Sequence, residues 1–390
     1  MSCLTRRIRI ALYFICSVLW IASQSCQAAA TPIFRTVTIG NTEPRRDQHG
    51  QMIDAHDGCL QFFHGRYYLY GTAYGKSAGY SIHNRFRVYS SPDLEHWRFE
   101  GELLKSPPDG VYYRPYVVFN PRTRKYVLYY NWFPRLFAGR TGVAVSDTPV
   151  GPFTIVHTKV NLSRAAGRPG GSFRGLPISG VGDGSLFVDD DGTGYFIYAA
   201  AGDHAVGIDR LTPDFLGSTG ESSGVLAKGC EAPAMFRRGS RYYVLFDSTC
   251  CFCAAGSGAR VYVASKPLGP YAELQNMNRD ASGRPIVAAQ QTFVAKVPSS
   301  EGTSYIWMAD RWGSRPDGMK GHDLQYWSPP LQFAPDGGIL PIQNVAEWKI
   351  SIQLGQQTPE RKNLYRWPQK KNPHPLKIDP CTGAALPPEN

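Results

Sequence analysis

Short apolar and aromatic runs, bounded by Gly, Pro, Asp or Asn, recur along the whole chain. A turn carrying Gly or a basic or hydroxyl residue precedes an aromatic run five times. The copies are Gly65-Arg66-Tyr67-Tyr68-Leu69-Tyr70, Arg124-Lys125-Tyr126-Val127-Leu128-Tyr129 and Gly194-Tyr195-Phe196-Ile197-Tyr198, then Ser240-Arg241-Tyr242-Tyr243-Val244-Leu245 and Thr303-Ser304-Tyr305-Ile306-Trp307-Met308. Their first tyrosines are 59, 69, 47 and 63 residues apart. A short apolar strand and a turn come before these runs, as in Val117-Val118-Phe119 before Asn120-Pro121. A third strand follows, as in Val261-Tyr262-Val263. These are hairpins with polar turns. No long apolar stretch has a 3.6-residue period, and 40 Gly and 30 Pro suit many turns.

One unit repeated at such a period is the mark of a repeat architecture. The pattern predicts an all-β fold, a five-bladed β-propeller of about four strands per blade. A β-sandwich would not be expected to repeat one motif five times. No linker-like composition splits the chain. The expected organisation is a removable leader at 1–30, one propeller at 31–354, and a Pro-, Gln- and Lys-containing tail at 355–390 that closes or wraps it.

The leader has a basic head at Arg6, Arg7 and Arg9, an apolar stretch from Ile10 to Ala22, and a small-residue site at Ala28-Ala29-Ala30. That is the pattern of a secretory signal peptide, and it predicts a secreted protein with no membrane attachment after cleavage. Losing the three arginines lowers the net charge from +11 to +8. The remaining charge is spread out, which argues against a nucleic-acid stripe. Six cysteines remain: Cys59, Cys230, Cys250, Cys251, Cys253 and Cys381. An even number in an exported chain predicts disulfides, though sequence does not choose among fifteen pairings. Cys59 and Cys230 are the candidate partners for the Cys250–Cys253 cluster, and the spacing of that cluster does not suit zinc.

In a propeller the first strand of each blade lines the central channel, so residues at the start of those strands converge. Those positions hold His56-Asp57, Tyr113-Arg114-Pro115, Gly182-Asp183-Gly184, Glu231-Ala232-Pro233 and Gln290-Gln291. Three of the five carry acids. Glycoside cleavage needs one protonated acid at the leaving oxygen and one ionised carboxylate, and a third carboxylate nearby tunes the acid. Asp57, Asp183 and Glu231 fit as a set. Taken singly, each is equally a strand cap or an ion-pair partner. His56, Arg114, Gln290 and Gln291 are candidate substrate contacts, with a structural hydrogen bond the competing reading for His56. Trp132, Trp312 and Tyr74 are candidate sugar-stacking rings, with core packing the competing reading.

Over residues 45–350 the sequence resembles glycoside hydrolase family 43. The resemblance rests on Asp57 ten residues before Tyr67, Asp183 six before the Asp189-Asp190-Asp191-Gly192 turn, and Glu231-Ala232-Pro233 before the fourth aromatic strand. It implies a base at Asp57, an orienting and pKa-modulating Asp183, a general acid at Glu231, and inversion. Ala55-His56, Arg114-Pro115 and Gln290-Gln291-Thr292-Phe293-Val294 look like the exo-β-1,3-galactanase branch. That branch is thought to use a Gln and a Glu before Arg-Pro in place of the Asp base; here Tyr113 stands where that Glu would be. The expected substrates are arabinose-, xylose- or galactose-containing polysaccharides or oligosaccharides, taken by a monomer. The alternative is a non-catalytic carbohydrate-binding propeller of the same ancestry. No cofactor is required, and the resemblance allows a structural calcium or sodium in the channel. Asp189-Asp190-Asp191-Gly192 lacks EF-hand ligand spacing and reads as a hairpin turn.

Overall fold

The computed structural model describes residues 32–354, apart from 136–137, 164–170, 174–175, 250–251 and 253–255. The expected leader, the tail and Cys250, Cys251, Cys253 and Cys381 lie outside the described residues.

The described chain is all-β, with 22 strands in four sheets and one short 3-10 turn at Lys320–His322. The first sheet runs in chain order through β2 (His56–Phe63), β3 (Arg66–Ala73), β4 (Arg85–Ser91) and β5 (Arg98–Glu102). A nine-stranded sheet holds two such runs. One is β6 (Val111–Asn120), β7 (Lys125–Phe133), β8 (Ala138–Ser146) and β9 (Thr154–His157). The other is β11 (Leu176–Val188), β12 (Gly194–Ala200), β13 (Val206–Leu211) and β14 (Ser218–Ser222), with β10 (Gly171–Phe173) beside β11. Two parallel pairs join the runs, Ser179 to Ala138 and Gly180 to Gly139. The third sheet is β15 (Cys230–Arg238), β16 (Arg241–Ser248), β17 (Arg260–Ala264) and β18 (Ala272–Asn276). The last contains β19 (Gln290–Ser299), β20 (Gly302–Arg311) and β21 (Leu324–Trp327), together with β1 (Phe34–Gly40) and β22 (Glu347–Gln353).

All five aromatic repeats become the second strand of a run: β3, β7, β12, β16 and β20. Alternation explains the choice of residues. Tyr70, Tyr129, Tyr198 and Tyr243 fill the core between sheets and are 0–1% exposed. Ring pairs extend across it, such as Phe236 of β15 on Tyr305 of β20 at 4.9 Å. The two ends of the described chain are tied together, because β1 pairs with β22 from Phe34–Gln353 to Gly40–Glu347.

The five first strands pack on one another in sequence. β2 meets β6, β6 meets β11, β11 meets β15, β15 meets β19, and β19 returns to β2. An apolar cavity of about 160 Å³ is lined by all five, through Gln61, Val118, Leu186, Met235 and Phe293 among others.

Each first strand is also interrupted near its start. The pairing register shifts between His56 and Cys59, Tyr113 and Tyr116, Val181 and Gly184, Glu231 and Ala234, and Gln291 and Phe293. A bulge leaves one residue out of the ladder and re-aims its side chain. Three residues at these bulges have left-handed backbones: Asp57 at φ 47°, Arg114 at 55° and Ala232 at 51°. Such conformations cost free energy and gather where a side chain must point in a set direction.

Candidate active site

The bulges bring the predicted residues to one place. Arg114 on β6 pairs with Asp183 on β11, Nη2 to Oδ2 at 3.1 Å. The same Asp183 oxygen accepts the Ala232 N–H of β15 at 3.1 Å. Arg114 Nη1 donates to the Gln291 carbonyl of β19 at 3.2 Å. Glu231, the residue before Ala232, accepts from Gln290 Nε2 at 3.2 Å. Gln290 Oε1 in turn accepts from Trp312 Nε1 at 2.7 Å, which fixes which end of the amide faces Glu231.

Asp57 is 4% exposed. Its N–H donates to Asp310 Oδ2 at 2.6 Å, and its Oδ2 accepts the Tyr74 hydroxyl at 2.5 Å. Oδ1 has no hydrogen-bond partner among the described residues. Burial raises the Asp57 carboxyl to about 6; the Arg114 charge, Thr72 and Tyr74 pull it down, and Asp310 pushes it up. Thr72 Oγ1 makes no hydrogen bond of normal geometry, so Tyr74 is the hydroxyl that holds Asp57.

His56 is fully buried. Its Nδ1 lies 3.0 Å from Asp310 Oδ1, and its ring sits 5.4 Å from Trp312. Burial opposes charging the imidazole. The Asp310 ion pair and hydrogen bond, with Asp54 and Asp57 nearby, outweigh that and raise its pKa to about 9. The structure therefore gives His56 the structural hydrogen bond rather than an open sugar contact.

Other expectations are corrected. Trp132 is not at the site. It is 6% exposed, stacks on Tyr112 at 6.2 Å and donates to the Asp109 carbonyl at 3.3 Å. The reason is alternation: on β7, Asn131 stands opposite Tyr113, so Trp132 faces the other way. Gln291 is also committed, with Nε2 to the Ala232 carbonyl at 2.8 Å and Trp307 Nε1 to its Oε1 at 3.0 Å. Cys59 and Cys230 are free, buried thiols. Cys230 lies 3.1 Å from Arg260 Nη1, so neither is the disulfide partner expected of it. Burial raises the Cys230 thiol to about 11 against the pull of Arg260.

Tyr74 and Trp312, expected as sugar-stacking rings, join Tyr113 in an aromatic wall with Tyr80, Phe133 and Phe252 packed against it. Other site residues escaped sequence reasoning. His204, at φ 48°, places Nδ1 3.9 Å from Glu231 Oε2; burial lowers its pKa, with Asp183 and Asp203 opposing. Asp310 and Asp247 are the last residues but one of the aromatic strands of the last two runs. A signal did exist. Each stands five residues after the first tyrosine of its repeat, Tyr305 or Tyr242. Each faces a site residue across the ladder, Gln290 opposite Asp310 and Glu231 opposite Asp247.

Two acidic groups away from the site are already engaged by the chain's own side chains and backbone. Asp93, Glu95 and His96 bring ligand-type atoms within 4.8 Å of one another. Arg35 already occupies that cluster, at 3.0 Å from Asp93 and 2.7 Å from Glu95. Asp189 is spent on its turn, accepting from Asp190 N–H, Arg237 and Tyr242.

Comparison with known proteins bears on this arrangement. Residues 52–306 match the model of glycosyl hydrolases family 43. An arabinoxylan arabinofuranohydrolase of Bacillus subtilis is 25% identical over 319 residues, 68% of this chain, and the match spans 57% of that protein. An exo-β-1,3-galactanase structure from Clostridium thermocellum is 28% identical with a TM-score of 0.69, covering 84% of this chain and 69% of the other. A family 43 β-1,3-galactosidase solved with galactodeoxynojirimycin is 25% identical with a TM-score of 0.67, covering 80% and 99%.

Proposed function

Because the chain belongs to glycosyl hydrolase family 43, and is therefore a glycoside hydrolase, we propose that it is a secreted, monomeric, inverting enzyme acting on galactose-, arabinose- or xylose-containing polysaccharide. Supporting a five-bladed propeller, five runs of strands have first strands that meet in cyclic order. On this reading the nine-stranded sheet is two blades joined by the Ser179–Ala138 and Gly180–Gly139 pairs.

The observation that carries the reading is the Arg114–Asp183–Ala232 link, which ties the second, third and fourth runs beside Glu231. Glu231 is the general acid. Asp183 holds the backbone next to it, and its charge disfavours a second anion there. Asp57 is the base: Tyr74 grips one oxygen, and the other is left to take a proton from water. Inversion needs roughly 6.5–9.5 Å between acid and base so that water fits. Gln290 touches Glu231 at 3.2 Å, which leaves no such room and argues against Gln290 as base. Trp312, held beside Glu231 through Gln290, supplies ring surface for sugar.

Three neighbours at 25% identity or more are described as acting on β-1,3-linked galactose. β-1,3-Galactan therefore leads the substrate panel, with arabinoxylan second. The test is Glu231→Gln on that panel. Turnover of poor leaving groups should fall by about 10²- to 10⁴-fold with the melting temperature unchanged. Proton NMR should show the inverted anomer first. No turnover by wild type on any glycan, with binding retained, would favour the carbohydrate-binding alternative.

A further inference from the structure

Glu231 and Asp247 are direct partners across the antiparallel β15–β16 ladder. Side chains so placed stand on the same face, with Cβ atoms about 4.5–5.5 Å apart. Two carboxylates directly opposite each other repel. Asp247 is fully buried, and neither carboxyl oxygen has a donor among the described residues. An ionised carboxylate without donors is costly in such a place, whereas a protonated one supplies its own O–H. From these placements we infer that Asp247 is a further working carboxyl group of the site, donating its proton in a hydrogen bond to Glu231.

The charged groups facing it agree. They are Glu231 on its own sheet, Arg114 from β6 and Asp183 from β11; Gly258, just before β17, adds no charge. Burial drives the Asp247 carboxyl well above the ordinary range, Glu231 adds to that, Arg114 opposes it, and Asp183 adds again. Arg114 is already paired with Asp183 at 3.1 Å.

The inference rests on Glu231 being the acid. When Glu231 passes its proton to the glycosidic oxygen, its own carboxylate appears in a buried place. The Asp247 O–H then meets that charge and stabilises it. No proton leaves Asp247, so its role is positional. Hydrogen bonds to charged groups are about twice as strong as neutral ones, so the contact strengthens as the reaction proceeds.

The test has two arms. Infrared spectra at about pH 8, where Asp57 with its pKa of about 6 is ionised, are compared between Glu231→Gln and Glu231→Gln/Asp247→Asn. A neutral-carboxyl band should be present in the first and lost in the second. In the kinetic arm, Asp247→Asn keeps an N–H donor and should hold turnover within about 3-fold of wild type. Asp247→Leu should slow poor leaving groups by about 10- to 100-fold and move the basic limb of the pH profile upward. Absence of the band, or its survival without Asp247, overturns the inference. So does equal behaviour of the Asn and Leu variants. The infrared arm needs no turnover and only the isosteric asparagine, so a leucine variant that does not fold leaves it intact. Full activity in Glu231→Gln alone would sink the acid assignment separately.

Discussion

Asp310 holds Asp57 by the backbone: the Asp57 N–H donates to Asp310 Oδ2 at 2.6 Å while the other Asp310 oxygen takes His56 Nδ1 at 3.0 Å. One carboxylate thus fixes both residues of the first bulge. Asp57 needs such a hold because its φ of 47° is unfavourable for a residue with a side chain. Asp310→Ala should cut kcat by about 10- to 100-fold, as loss of a positioning contact does, with little change in KM. Steady-state kinetics on one glycan checks this, and an unchanged kcat would remove Asp310 from the positioning role.

His56 gives a stability signature with pH. Its folded pKa of about 9 lies above the ordinary 6.5. A raised histidine contributes stability that is fully present below 6.5 and is lost as pH rises through 9. Thermal unfolding from pH 6 to 10 should show the melting temperature falling across that window. In Asp310→Asn the partner charge is gone, and the fall should flatten.

The acidic limb of activity reports on Asp57. A base must be ionised, and burial lifts this carboxyl to about 6. The kcat/KM of wild type should therefore rise with pH and level off above about 6. Asp57→Asn should abolish turnover on good and poor leaving groups alike. An active Asp57→Asn with an unchanged limb would mean that another group activates water.

Arg114 is nearly enclosed, at 3% exposure, and joins Asp183 to the Gln291 carbonyl. Replacing it with Met strands Asp183, and breaking a buried pair costs about 3–5 kcal/mol; Asp183 is partly exposed, so the low end applies. Calorimetry should show a clear drop in melting temperature. Arg114→Lys keeps the charge but loses the two-armed reach, and should recover stability more than activity.

Cys59 and Cys230 are buried thiols. Alkylation under native conditions should leave both unmodified, and unfolding should expose them, as peptide mass spectrometry would read. Labelling of either in the folded protein, or a disulfide at either, contradicts the structure.

The site was partly legible in the chain because it follows the repeat. Asp57, Arg114, Asp183, Glu231 and Gln290 all sit in or beside the bulge of a first strand, and spacing from the aromatic motifs finds them. Asp247 and Asp310 obey the same logic one strand later, at the end of the aromatic strand, and applying the repeat there would have found them too. Trp132 was misplaced because one step along a strand reverses a side chain's face.

The sequence by itself determined the strands. Alternation, turn residues and a repeated aromatic motif are local, and local sterics and burial suffice to decide them. Only the tertiary structure decided the chemistry of each carboxyl. Asp57 and Asp247 look alike in the chain, yet one hangs from Tyr74 and Asp310 and the other has no donor among the described residues. Their protonation is set by burial and by charges brought from distant strands, such as Arg114 and Asp183. No local spacing encodes that environment, because it exists only where the first strands meet.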